Sequence, residues 1–104
     1  MAELTVISWR DIPMQVMARA SGRGGPTARV LLSERFQEAV DAAAMVAGLI
    51  GSDDYTQQIR MQKRSCADDL EAETAAAAAS IESEWSDEVL RASIRAGGFR
   101  TEQP

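Results

Sequence analysis

The first third of the chain distributes its apolar residues in the manner of strands. Residues 4–9 read LTVISW, rich in side chains that pack well on a pleated surface and free of charge. Asp11, Ile12 and Pro13 follow as a turn, because Asp supplies local hydrogen bonds and Pro restricts the residue before it. Residues 14–20, MQVMARA, predict a second strand with Val16, Ala18 and Ala20 on one side and Met17 and Arg19 on the other. The two make a β-hairpin. The stretch SGRGGPT at 21–27 interrupts the pattern with glycines and a proline, and ARVLL at 28–32 predicts a third strand.

At Ser33 the period changes from two to between three and four. Phe36, Val40, Ala43, Ala47 and Ile50 mark the apolar side of a helix, widened by Ala44, Met45 and Leu49. Ser33 is placed to cap it, Glu34 suits its positive end, and Gly51 is the expected stop. Phe36, Val40, Ala43 and Ile50 are expected to face the sheet. Residues 52–65 admit two readings. One is a strand with Ile59 and Met61 facing inward; the other is a short helix after Ser52, started by Asp53 and Asp54. Beyond Cys66, a helical stripe runs through Leu70, Thr74, Ala77, Ala78, Ile81 and Trp85. Ser86 then caps a last helix through Val89, Leu90 and Ile94, stopped by Gly97 and Gly98. These elements predict one small α+β domain over residues 1–98, with a two- or three-stranded antiparallel sheet packed by helices. Residues 99–104 are read as a flexible carboxyl-terminal tail.

Composition adds that this core is thin. Apolar residues are 45% of the 104, but many are alanines and only 5% of the chain is aromatic. A small domain with so little large apolar surface gains from docking to another protein. Charge is also uneven. The net charge is −5, yet residues 1–35 hold five arginines against three acids, while residues 66–104 hold nine acids against three arginines. An acidic whole disfavours general nucleic-acid affinity, so a nucleic-acid-binding module is the least favoured reading.

The chemistry-bearing residues are few. The chain has no histidine and one cysteine, so neither a disulfide framework nor the usual metal and acid–base groups are at hand. No cofactor and no metal are expected, nor any membrane segment, and cytoplasmic localisation is the default. SGRGGPTAR offers a weak anion-binding pattern in which Arg23 or Arg29 would supply charge, but it has neither the P-loop ending nor the dinucleotide glycine spacing. In Trp9-Arg10-Asp11, Asp11 is placed to fix the Arg10 guanidinium, and Trp9 to cover a ligand or fill the core. Asp53-Asp54 and Asp68-Asp69 lack the alternating ligands of a calcium loop and read as helix starts. Cys66 is followed by two acids one residue on, which raise a thiol pKa rather than lower it.

The order TVISWRDIP, LLSERFQEAVDAAAM, AGLIGSDDY and DDLEAE resembles a small bacterial domain family labelled “virulence factor”, over residues 4–90. Trp9-Arg10-Asp11-Ile12-Pro13 and Glu34-Arg35-Phe36 are the most distinctive matches. The family carries a tryptophan-arginine pair near Ile59-Arg60, from which this chain departs. The resemblance implies an association with methyltetrahydrofolate and corrinoid methyl-transfer proteins, and no catalytic residue.

Together these readings point to a noncatalytic accessory or interaction protein. Its partner would be a larger metabolic enzyme or subunit, which the resemblance implies is a folate- or corrinoid-dependent methyltransferase. Trp9, Phe36, Tyr55 and Trp85 are candidate anchors, and Arg10, Arg23 and Arg60 are candidates to orient an acidic partner. The alternative is a small transferase or folate-handling component, with an arginine-bearing cleft formed by Trp9, Arg10, Asp11 and the middle arginines.

Overall fold

The computed structural model describes residues 2–20 and 25–100. The chain runs β1 (Ala2–Trp9), β2 (Ile12–Arg19), β3 (Thr27–Leu31), α1 (Glu34–Ala47), α2 (Asp54–Gln57), β4 (Ile59–Cys66), α3 (Leu70–Glu84) and α4 (Asp87–Arg95). The fold is α+β, and its antiparallel sheet has four strands in the order β3-β2-β1-β4. The expected two or three strands are thus joined by a fourth from the ambiguous middle. Both readings of that middle hold in part, since α2 occupies its first half and β4 its second.

The helices make their main contacts on β1, β2 and β3: α3 crosses β2 and β3, while α1 packs on β2 and against α4. Leu4, Val16 and Ala18 point into this layer and are fully buried. Thr74, Ala77 and Ala78 give α3 the small side chains that let its backbone approach the sheet. The buried Thr74 hydroxyl donates to the Leu70 carbonyl at 2.9 Å, so no polar group is stranded there. Asp69 and Ser86 cap α3 and α4 by accepting from the amides of Ala72 and Val89.

Several expectations about α1 and β4 are corrected. Helix α1 ends at Ala47, not near Gly51. Gly48 takes a left-handed φ of 74°, its amide donates to Met45 O and the Leu49 amide to Ala44 O, closing a Schellman motif. Ile50 therefore lies beyond the helix and is 54% exposed, whereas Phe36, Val40 and Ala43 are buried as expected. Met45 likewise faces solvent. In β4, Ile59 and Met61 do not face inward, because the pairing of Cys66 with Ala2 and of Arg64 with Leu4 puts the opposite alternation on the helix side. Ser33 does stand at the start of α1, but its side chain makes no cap bond. Its hydroxyl instead donates to Glu82 Oε1 at 2.9 Å.

Candidate functional site

Five of the predicted site residues, Trp9, Arg10, Asp11, Tyr55 and Arg60, converge at the β1–β2 turn. A register shift between Ile7 and Ser8 brings Trp9 opposite Ile12, and both are fully buried. Arg10 then takes φ 51°, the left-handed sign favoured in tight hairpin loops but uncommon for a residue with a side chain. Two backbone bonds hold it there: Arg10 N–H donates to Gln58 O, and Asp11 N–H donates to Gly98 O, each at 2.9 Å.

Side chains complete the joint. The Trp9 indole donates to Tyr55 O at 2.8 Å, with the two rings 5.5 Å apart. The Arg10 guanidinium donates to Gly97 O at 2.8 Å and to Gln58 Oε1 at 3.2 Å, and lies 5.2 Å from the Trp9 ring and 4.6 Å from that of Phe99. Asp11 accepts from Arg60 at 3.1 Å and from the Arg100 amide at 2.8 Å. Burial pushes the Tyr55 phenol above its ordinary value, and the Asp41 charge adds to the effect. Arg10 and Asp11 thus tie the first turn to residues 97–100. Phe99 and Arg100, on the tail side of the expected domain boundary, help to build it.

The remaining candidates lie elsewhere. Arg23 is outside the described residues. Arg29, on β3, is remote from the turn and donates to Met17 Sδ at 3.8 Å. Trp9, Phe36 and Trp85, proposed as anchors, are all core residues. Burial and the Glu73 charge push the Cys66 thiol up, which disfavours its thiolate.

A second joint, unforeseen from the residues, forms around Glu34-Arg35-Phe36. Glu82 accepts from the Ser33 amide at 2.8 Å and from Arg35 at 3.1 Å, and Arg35 also reaches the Glu82 carbonyl and Asp87. Phe36 packs edge-on to Trp85, under the Arg35 guanidinium. Burial pulls the Glu82 carboxyl upward, but the bonds from Ser33 and Arg35, with the Arg35 charge, outweigh it and hold the carboxyl below its ordinary value. The motif Glu34-Arg35-Phe36 was the available signal; its partners lie almost 50 positions away and had none.

The third feature is the sheet face opposite the helices. Strand register aligns Leu31, Gln15, Ile7 and Met61 in one row and Arg29, Met17, Thr5 and Lys63 in the next. At the two edges Leu31 is 73% and Met61 60% exposed. Charge divides by element rather than by face. The strands carry Arg19, Arg29, Arg60, Lys63 and Arg64 against Glu3, whereas α3 carries only acids.

Among the described residues, no helix is long and apolar enough to cross a membrane, and no group of three or more Cys, Asp or Glu is placed to hold a metal ion. No curated protein and no solved structure matches the chain. A family model described as Virulence factor matches residues 7–94, a span that contains both joints' motifs and all four helices except the last residue of α4. The chain belongs to the Virulence factor family.

Proposed function

We propose that this chain is a noncatalytic interaction protein that docks onto a larger metabolic enzyme through its open sheet face. The partner class we favour is the folate- and corrinoid-dependent methyl-transfer proteins implied by the family resemblance. The observation that carries the reading is the uncovered row with Leu31 and Met61 exposed at its two edges. Large apolar side chains grouped on one face and flanked by charge suit a docking surface better than bulk solvent. The transferase alternative needs the Arg10 guanidinium for a ligand, and that group already serves Gln58 and Gly97.

The test is binding of the purified chain to purified folate- and corrinoid-dependent methyltransferases, with methyl transfer measured in parallel. Saturable binding that Leu31→Asp abolishes, without turnover by the chain alone, is the expected result. Methyl transfer by the isolated chain would overturn the reading.

A further inference from the structure

Strand β4 ends the sheet. One of its sides pairs with β1 from Cys66 to Ile59, and its other side meets no strand, which leaves backbone N–H and C=O groups there open to a further strand. Open edges of this length invite indiscriminate pairing, and natural sheets guard them with charge. Here the guard has one sign. IRMQKRSC contains Arg60, Lys63 and Arg64 and no acid, within a chain of net charge −5. A second copy of β4 laid along the first would set three cations against three. The same cations favour an acidic strand.

Side-chain alternation narrows the partner further. Met61 pairs with Ile7 and Lys63 with Thr5, so Met61 lies on the open face and Ile59 shares its alternation. Arg60, Gln62 and Arg64 take the other alternation, toward the helix side. Arg60 already has Asp11, while Arg64 makes no ion pair among the described residues. A strand added to this edge meets Ile59, Met61 and Lys63 on the open face, and Arg60 and Arg64 on the other.

We propose that the outer edge of β4 binds, by strand addition, an extended segment of a partner protein in which acidic and apolar residues alternate. Its acids lie beside Arg60 and Arg64, its apolar residues beside Ile59 and Met61, and backbone bonds to the edge supply affinity. The proposal rests on the interaction reading above and specifies where the partner's chain lies. Single-stranded nucleic acid fits less well, since the exposed large apolar residues of the open face are Leu31, Ile59 and Met61, with no ring on which a base stacks.

Fluorescence anisotropy with a labelled octapeptide of alternating Val and Glu tests this directly. Its comparators are a peptide with the same residues in two blocks, alternating peptides N-methylated at every second residue in either phase, and a single-stranded DNA octamer. We expect the alternating peptide to bind and Arg64→Glu to weaken it about ten-fold, the size of one charge-assisted contact. The block peptide and at least one N-methylated phase should lose binding, and hydrogen exchange of β4 amides should slow in the complex. Arg64 is exposed, so its substitution leaves the core intact. Failure of the alternating peptide to bind, equal binding of the block peptide, indifference to both methylation phases, or tighter binding of the DNA octamer would each overturn strand addition. A purified methyltransferase that binds the chain undiminished by Arg64→Glu retains the accessory reading and rejects this one. Methyl transfer by the isolated chain, with peptide binding intact, does the reverse.

Discussion

Gly98 lies so close to Trp9 that a Cβ built on it would stand 2.6 Å from Trp9 Cζ3. The contact fixes the spacing of the whole first joint, because the Gly98 carbonyl accepts from the Asp11 amide and the preceding carbonyl from Arg10. Its φ of 107° also excludes an ordinary side chain.

Gly98→Ala therefore strains both the backbone and the Trp9 ring. We expect a loss of roughly 3 kcal/mol, at the upper end for overpacking. Equilibrium urea unfolding measures it, and an unchanged midpoint would contradict the packing described.

Arg10→Lys keeps the charge and removes the fork. The planar group that serves Gln58 and Gly97 between two rings has no ammonium equivalent. The expected cost is about 2 kcal/mol, with faster amide exchange at Asp11 and Arg100. Hydrogen exchange separates this local loosening from a uniform loss of stability.

The Glu82 carboxyl titrates lower in the fold than in the unfolded chain. The unfolded chain therefore takes up the proton first as pH falls. Glu82 stabilises the fold fully above the ordinary glutamate value of 4.5, and this contribution disappears as pH falls through the lower folded value. The stability of Glu82→Gln should fall less over that window. Urea unfolding at stepped pH compares the two slopes; because the pair is part-exposed, we expect a neutral-pH cost of only about 1 kcal/mol.

Phe36→Ala and Ile50→Ala should separate cleanly. Phe36 is 1% exposed beneath Arg35 and against Trp85, and its truncation should cost about 3 kcal/mol. Ile50 lies past the Schellman turn in solvent, and its truncation should stay within about 0.5 kcal/mol. Comparable losses at both positions would mean that α1 continues beyond Gly48.

Local patterns were readable from the residues; what they close against was not. Period two marks the strands of the first third, and the stripe through Leu70, Thr74, Ala77, Ala78, Ile81 and Trp85 marks the inner side of α3 and its C-cap, with Ile81 only partly buried. The stop of α1 falls at Gly48, three residues before the expected Gly51, because the two glycines carry the same signal and the choice depends on which carbonyls are reached. In β4, apolar Ile59 and Met61 suggested an inward side, but an edge strand without close helix cover does not need one. At the first joint, Trp9, Arg10 and Asp11 were evident as a group. Gly97 and Gly98 announced only a helix end, since nothing local marks a carbonyl as the acceptor for an arginine some 87 positions earlier.

That separation bears on how the protein is made. The first turn is synthesised before the carbonyls of Gln58, Gly97 and Gly98 that stabilise it, and its Arg10 takes a conformation that costs about 1 kcal/mol. β1 must also await β4, some 50 positions later, for its second neighbour. Until residues 97 and 98 are in place, the end of the hairpin that carries the most distinctive motif lacks two of the acceptors that hold it. The tightest turn of the hairpin is thus completed by residues far along the chain.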